Sequence, residues 1–504
     1  MYKKRTWAGS ITVFASLSLM LVASFLLALL EQARYAGLAA YSGMQRENAV
    51  ESLLSEYDRD LFDRYGIFLL DAGFESGNIE FSKIDGLLLE TSQKNLRPES
   101  TGGGLFSTQN FYQMDVTKAQ MERYLLATDE NGAPFRAMAA ASMKTRYPLE
   151  LLESLSQQAD QSSEAMEQAN ETQASMDAAD LQISQAKQQS AEAAKSAEKG
   201  EGETTVVSAD PPENPIDVVK TIKSKDILTL VVPQGKALSQ KSVDRTDALE
   251  KRSLVSGNET WDHTADPFET VLYHKFLETQ FGCFTAKSAS SGALEYELEY
   301  IVAGKDTDHG NLKSVVRRLL LLREGANFLY LQKDAVKKGE AYELATAIAA
   351  AFAVPPAIPI LTQGILAAWA YAESILDVRA LLAGDKIPWL KTSESWTCDL
   401  TSMGSLLSGD AKAKPSDDGE DYEGYLHKLL YLTSARSSSY RAMDLMEWYH
   451  NSLGEGKIRM DGMMVSVTAV FSCEAQPLFS KLVSLQQLKT ERFVFEGTVS
   501  DSYL

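Results

Sequence analysis

The chain has 504 residues, enough for about three domains of roughly 150 residues, and 44% of them are hydrophobic, so most of it should fold. The 69 acidic residues outnumber the 49 basic ones, and the net charge of -20 argues against nucleic-acid binding, which requires a basic surface. Three widely separated cysteines, Cys283, Cys398 and Cys473, exclude a disulfide scaffold and a cysteine zinc site, and their odd number leaves at least one thiol unpaired within the chain.

The first predicted element is a membrane-spanning helix over residues 11–30, which carry no charged side chain. About 20 helical residues at 1.5 Å each match the roughly 30 Å hydrocarbon core of a bilayer. Lys3, Lys4 and Arg5 precede the helix within segment 1–10, so the positive-inside rule places the N-terminus in the cytoplasm and the remainder outside the cell. The side chains expected to hold this helix in the membrane include Ile11, Phe14, Leu21, Phe25 and Leu30.

A cleaved secretory signal is the alternative interpretation, because Ala36, Ala39 and Ala40 offer the small residues of a cleavage site. The apolar core is long for a signal peptide, and we therefore predict an uncleaved signal-anchor that crosses the cell membrane once. A second span is not expected, since the later apolar stretch at 345–372 is interrupted by prolines and lacks a basic flank.

Shifts in composition predict the organisation outside the membrane. Residues 31–65 are dominated by Ala, Leu, Gln, Glu and Arg, which indicates that the membrane helix continues as a stalk. Residues 200–215 are rich in Glu, Pro and small residues and are expected to form a flexible linker. The two parts of an α+β ectodomain then occupy residues 66–150 and 216–504.

Residues 151–199 lack Pro, Gly and aromatic residues and are predicted to form a protruding helical arm. A loose heptad repeat favours a weak coiled coil, whereas the polar composition also suits a disordered segment. The seam positions of this repeat are Leu152, Leu155, Ala159, Ser162, Met166, Ala169, Gln173, Met176, Asp180, Ile183 and Lys187. Because large apolar side chains are few, we expect the segment to bury little surface and to be dispensable for stability.

Hydrophobic periodicity predicts both helices and strands, and hence the α+β class. The predicted strands cover 67–70, 227–232, 294–303 and 493–499, together with a hairpin over 458–473 that turns at Asp461 and Gly462. The predicted helices cover 312–322, 335–353, 365–382 and, as one or two helices, 425–453. Gly384 is placed to end the third of these helices, and a surface loop is expected at 408–424.

Along the sequence we find no arrangement that predicts a metal site, a cofactor or a catalytic nucleophile. The five histidines lack the spacing of a helical metal pair, and the common nucleotide-binding and hydrolase motifs are absent. Residues 306–310 resemble the start of a calcium loop, but Arg317 occupies the twelfth position, where a bidentate glutamate is required. We predict instead a turn that follows a strand.

Glu373 and Asp377 are the candidate catalytic pair, since a spacing of four residues places both carboxylates on one helical face. Such a pair can perform acid–base catalysis if burial separates the two pKa values. The alternative is a structural ion pair with Arg379, Arg323 or another basic side chain across a helix interface. We predict the structural role and a protein that is not an enzyme.

Stretches from most of the chain resemble one known family, and they cover residues 9–21, 57–71, 294–312, 322–331, 369–391 and 423–449. That family comprises uncharacterised single-span surface proteins of clostridia-like bacteria, encoded with Tad (Flp-type) pilus machinery. Its members are themselves similar to the TadE/TadG pseudopilin-like proteins.

The resemblance implies a membrane-anchored structural or assembly component of a Tad/Flp-like pilus or secretion system. Its implied partners are the lipid bilayer and pilin-like or pilus-assembly membrane proteins, and it brings no catalytic residue. Pilin-like precursors are processed after a glycine, which makes Gly9 a possible cleavage position, although Phe14 stands where a glutamate is usual. A surface-tethered hydrolase and an adhesin ectodomain are the alternative functions.

Overall fold

The computed structural model describes residues 8–96, 113–148, 152–153, 164–169, 171–185, 188, 212–264, 266–287, 292–352, 354–408, 410–454, 456–479 and 492–504. The predicted α+β class is confirmed. The chain divides into two compact units, of which unit 1 comprises Met1–Met138, Leu254–Thr264 and Leu453–Leu504, and unit 2 comprises Ala139–Ser253 and Ala265–Ser452.

Unit 1 begins with a single long helix, α1 (Ala8–Leu54). Its first part exposes apolar side chains, whereas its second part packs into the core of the unit through residues such as Leu38, Val50 and Leu53. The predicted stalk therefore continues past residue 31, but α1 ends at Leu54 rather than near residue 65. The short helix α2 (Arg59–Tyr65) follows, and the Asp58 side chain accepts a hydrogen bond from its first turn.

The sheet of unit 1 is antiparallel and centres on β3 (Met463–Ala475). β2 (Met114–Leu126) pairs along one side of β3 with three register shifts. The other partners of β3 are the two-residue strand β1 (Leu70–Asp71), near its start, and β4 (Phe493–Ser502), along the rest of its length. The helices α1 and α3 (Phe81–Leu96) pack together on this sheet, and α4 (Asp129–Met143) follows β2.

Unit 2 is helical over most of its described residues. Its helices are α5 (Pro215–Lys223), α6 (Ile227–Val231), α7 (Glu269–Gln280), α8 (Glu297–Ala303), α9 (Asp308–Lys333), α10 (Ala335–Ala351), α11 (Ile358–Ala383), α12 (Met403–Ser408), α13 (Tyr422–Tyr431) and α14 (Ala435–Leu453). The predicted helices at 312–322, 335–353, 365–382 and 425–453 are confirmed within α9, α10, α11 and the pair α13–α14.

The long helix α11 lies deep in unit 2, and nearly every side chain from Leu361 to Leu382 is inaccessible to solvent. A helix that is apolar on all sides is expected to be enclosed by others, and α9 and α10 both pack against it. Gly384 ends the helix as predicted, because its φ of 94° is a left-handed conformation that glycine adopts without steric cost.

Two predicted strands are wrong. Residues 227–232 contain the five-residue helix α6, and residues 294–303 contain α8. The alternation that suggested a strand at 294–303 misled us because the polar residues do not face water. Glu297 and Glu299 are both buried and accept hydrogen bonds from the backbone N–H groups of Gly282 and Phe284.

The predicted hairpin at Asp461 and Gly462 is also wrong, whereas the predicted final strand is confirmed as part of β4. Met460–Gly462 forms a turn of 3-10 helix that leads into the single strand β3. A two-residue hairpin needs positive φ at one or both of its central positions, and a 3-10 turn has negative φ. The predicted strand at 67–70 survives only as the short β1.

The expectation of a protruding arm that buries little is wrong for the described residues of that segment. Residues 164–169 and 171–185 are helical, and they bury one seam made of Ala165, Ala169, Thr172, Met176, Ala179 and Ile183. Three of these residues, Ala169, Met176 and Ile183, are predicted heptad positions. The other three each precede a predicted position by one residue, namely Met166, Gln173 and Asp180. Small side chains bury little area each, but they let helices approach closely.

The close approach is visible at Gly325 of α9 and Gly364 of α11. A Cβ atom on Gly325 would overlap the carbonyl group of Ala165, and a Cβ atom on Gly364 would overlap the side chain of Ala179. Helical residues 164–169 thus lie directly on α9 and helical residues 171–185 on α11, which their composition did not reveal.

Replacing Gly325 with alanine should therefore destabilise unit 2 by about 1–3 kcal/mol, because backbone must move to make room. The matched control is Gly339→Ala on α10, where the added methyl group meets open space, and it should stabilise by about 0.5–1 kcal/mol. Denaturant unfolding of both variants measures the difference. Equal stability of the two variants would mean that residues 164–169 do not pack on α9.

Candidate functional site

The apolar part of α1 is the largest exposed hydrophobic surface among the described residues. The predicted anchor side chains lie on it with exposed fractions between 51% for Leu30 and 73% for Phe14; they are Ile11, Phe14, Leu21, Phe25 and Leu30. By length and composition this stretch is suited to cross a membrane, as either a signal-anchor or a signal sequence. Gly9 lies in the first turn of α1, and Lys3, Lys4 and Arg5 lie outside the described residues.

The folded part of unit 1 begins abruptly at Glu31. This side chain is 8% exposed and accepts hydrogen bonds from Arg34 at 3.1 Å and from the backbone N–H groups of Leu478 and Phe479 at 3.3 and 2.6 Å. Arg34 in turn donates to the carbonyl oxygen of Gln476 at 2.8 Å. The chain that follows β3 is therefore tied to α1 at the residue where its exposed apolar stretch ends.

The predicted carboxylates Glu373 and Asp377 lie on α11 in a buried charge cluster, which we define by these two residues with Arg323, Asn327 and Lys391. Asp377 accepts hydrogen bonds through Oδ2 from Arg323 Nε at 3.0 Å and from Asn327 Nδ2 at 2.9 Å. The Lys391 Nζ lies 2.7 Å from the other oxygen, Oδ1. Both Arg323 and Asn327 come from α9, so Asp377 joins the two central helices.

Glu373 is held on its other side by the chain that follows α11. Lys391 Nζ donates to its Oε1 at 2.7 Å, and the backbone N–H of Cys398 donates to Oε2 at 2.7 Å. The Thr397 N–H adds contacts of 3.2 Å to both oxygens. Lys391 therefore bridges the two carboxylates, one turn apart on the same helix.

The guanidinium of Arg323 completes the network. It donates to the carbonyl oxygen of Trp389 at 2.8 Å, to the hydroxyl of Tyr425 at 2.9 Å and to the side-chain oxygen of Asn327 at 3.0 Å. The four charged side chains of the cluster are fully buried, and two carboxylates balance two cations. The charges thus compensate each other away from water, as buried charges must.

The cluster separates the pKa values of its two acids. Burial acts to raise the pKa of Asp377, but Arg323 and Lys391 outweigh burial and hold that pKa below its usual value. The pKa of Glu373 is raised, because burial and the neighbouring Asp377 carboxylate together exceed the effect of Lys391. Such a separation of two pKa values is typical of catalytic acid–base pairs, but neither carboxylate here is accessible to a substrate.

Arg379, which we predicted as the ion-pair partner, is directed elsewhere. Its guanidinium donates to the carbonyl oxygens of Leu230 and Ala411, the latter at 3.0 Å. The cations of the cluster are instead Arg323, which the sequence offered as an alternative, and Lys391, which sequence reasoning missed. Lys391 stands in an irregular segment with no periodicity, so no pattern could place it beside α11.

The calcium-like run at 306–310 is the N-terminus of α9, not a turn after a strand. Thr307 caps the helix by accepting a hydrogen bond from the Gly310 N–H at 3.0 Å. The Asp308 carboxylate is buried and accepts from the backbone of Glu295 and Tyr296 at 3.0 and 3.1 Å. Within the described ranges, no three His, Cys, Asp or Glu side chains converge to hold a metal ion.

A comparison with protein families matches residues 205–475 to a family of unknown function, DUF5702. The match covers more than half of the chain. The chain belongs to the DUF5702 family. The DUF5702 match includes the buried charge cluster and ends at the last residue of β3, whereas α1 precedes it. Neither the curated proteins nor the solved structures contain a match to the chain.

Proposed function

We propose that this DUF5702 chain is a membrane-anchored, extracytoplasmic structural or assembly component of a Tad/Flp-like pilus or secretion system. The observation that carries the proposal is α1, one uninterrupted helix with an exposed apolar part and a second part packed into unit 1. An apolar surface of this extent is unfavourable in water, so lipid or other apolar helices must cover it.

An uncleaved anchor is supported by the packing that follows the apolar stretch. Cleavage near Ala36 would remove the buried Glu31, and cleavage near Ala39 or Ala40 would remove the buried Leu38 as well. The proposed topology places the N-terminus in the cytoplasm, residues 11–30 in the membrane and residues 32–504 outside the cell. Protease added to intact protoplasts should then digest the two units, and complete protection of the chain would contradict this topology.

Small residues on the exposed part of α1 favour helix–helix packing in the membrane; they are Ala15, Ser16, Ser18, Ala23, Ser24 and Ala28. The hydroxyls of Ser16 and Ser24 donate to the carbonyls of Val13 and Leu21 at 2.9 and 2.8 Å, so both are satisfied inside the helix. Such a surface is suited to lateral contact with the apolar helices of pilin-like proteins.

The carboxylates of Glu373 and Asp377 are fully buried and paired, which favours a structural over a catalytic role for both. A hydrolase would need at least one of them to reach a substrate. We therefore favour the assembly component over the surface-tethered hydrolase.

Photo-crosslinking in the native membrane tests the proposed partner. A benzoylphenylalanine at Leu21, in the apolar part of α1, should crosslink to a small single-span membrane protein of the pilin-like class. The matched control is Val336, which is 72% exposed on α10 and should not crosslink to that protein. Adducts with lipid alone at Leu21 and at Phe14 would contradict the assembly function and leave only an anchor.

A further inference from the structure

Unit 2 contains a cavity of about 370 Å³ beside α9. Helices α5, α6, α9 and α11 and the helical segment 171–185 contribute to its lining. Small-molecule sites usually have volumes of about 300–1,000 Å³, so this cavity is suited to a small ligand rather than to a polymer. The proposed assembly function assigns no role to it.

Glu324 is the buried acid of this cavity. Its side chain belongs to a residue that is 1% exposed, and neither carboxylate oxygen has a hydrogen-bond partner among the described residues. Burying a carboxylate without a partner is costly, and native proteins rarely retain one without a reason. Burial raises the pKa of Glu324 to about 7, although Lys223 opposes the shift.

Lys223 does not satisfy this acid directly. Its Nζ donates to Gln173 Oε1 at 2.7 Å and lies 4.4 Å from the centre of the Tyr371 ring. Gln173 belongs to segment 171–185, so that segment engages the Lys223 ammonium group. The carboxylate is therefore left for another donor.

The remainder of the lining combines three basic side chains and one acidic side chain with apolar ones. Lys225 and Arg317 are exposed, whereas Lys313 is engaged by Asp226 at 3.0 Å. This excess of positive charge is notable in a chain with a net charge of -20. The apolar part of the lining is formed by Ile227, Leu320, Leu321 and Tyr371.

We propose that this cavity binds a small apolar zwitterion, an amino acid or a short peptide with apolar side chains. The ligand ammonium group pairs with the Glu324 carboxylate, the ligand carboxylate lies at Lys225 and Arg317, and the apolar body packs on Leu320, Leu321 and Tyr371. An ammonium group supplies the donors that Glu324 lacks, and the exposed cations supply the charge that an anionic group requires.

Calorimetric titration of the full chain in detergent micelles tests the site, with L-leucine and L-leucyl-L-leucine as the two zwitterionic probes. The N-acetyl derivatives of both probes lack the ammonium group and should bind at least tenfold more weakly than the unmodified probes. Leucinamide retains the ammonium group and should be insensitive to Lys225→Gln and Arg317→Gln. Tight binding of leucine alone identifies a free amino acid as the ligand, and tight binding of the dipeptide alone identifies a peptide.

The isosteric variant Glu324→Gln should lower the affinity for the preferred probe at least tenfold, whereas the exposed control Lys251→Gln should leave it unchanged. An unaltered affinity in Glu324→Gln, or equal binding of the acetylated probe, would overturn the proposal. The absence of binding by both parent probes would overturn it as well.

A second measurement does not depend on any variant. An ammonium group favours the ionised form of Glu324, so binding near pH 7 should release a proton, and affinity should rise between pH 6 and pH 8. The heat of binding to the native chain should then depend on the ionisation enthalpy of the buffer. Binding without proton release would show that the ligand does not pair with Glu324.

Discussion

Replacing Asp377 with asparagine should lower the free energy of unfolding of unit 2 by about 3–5 kcal/mol, because it leaves buried cations without their counter-charge. Arg323 and Lys391 hold the pKa of Asp377 below its usual value, so the native side chain is ionised at neutral pH. The variant amide would leave two buried cations with Glu373 alone. Denaturant unfolding followed by tryptophan fluorescence measures the loss, because Trp369 and other tryptophans lie in unit 2.

The matched control for this substitution is Asp385→Asn. Asp385 pairs with Lys412 at 2.7 Å, but both side chains are partly exposed, so its loss should cost less than about 1 kcal/mol. Equal losses in the two variants would contradict a stabilising role for the buried cluster. If Asp377→Asn kept full stability but abolished a surface hydrolase activity, the enzyme interpretation would replace the structural one.

The start of α10 and the end of α11 were predictable because they carry local signals. Asp334 caps α10 and Gly384 ends α11, so both boundaries depend on residues adjacent in sequence. Strand β2 was missed for the opposite reason. Its register shifts interrupt the alternation of buried and exposed positions, and residues 117–123 are mostly polar or charged.

The candidate sites show a similar limit. A spacing of four residues identified Glu373 and Asp377, because both lie on one helical face. Lys391 could not be found in that way, since only tertiary packing brings its irregular segment to α11. Glu324 follows Arg323 directly in sequence, and only the structure shows that one side chain is paired and the other is not.

A pH-dependent stability should arise from Glu299, a second buried acid of unit 2. Its Oε1 accepts hydrogen bonds from the Phe284 N–H and the Tyr422 hydroxyl, both at 2.8 Å. Burial raises the pKa of Glu299 from 4.5 to about 7, and these two hydrogen bonds only partly offset the effect of burial. The folded state thus binds this proton more tightly than the unfolded state does.

The sign of the effect follows from that difference. A raised pKa in the folded state contributes stability that is present below about pH 4.5 and is lost as the pH rises through about 7. The shift from 4.5 to about 7 corresponds to ~3 kcal/mol, taken at 1.36 kcal/mol for each pKa unit. Burial also raises the pKa values of Glu324 and Asp444 to about 7, so both add to the same loss between pH 5 and pH 8.

Glu299→Gln should therefore flatten, without abolishing, the decline in unfolding free energy between pH 5 and pH 8. A glutamine keeps the side-chain oxygen that accepts from Phe284 and Tyr422, but it cannot ionise. The quantity to follow is the unfolding free energy of the variant minus that of the native chain. This difference should rise by up to ~3 kcal/mol between pH 4 and pH 8. The exposed control Glu340→Gln should reproduce the native pH profile of stability. If the profile of Glu299→Gln also coincided with the native one, Glu299 would not titrate in this range.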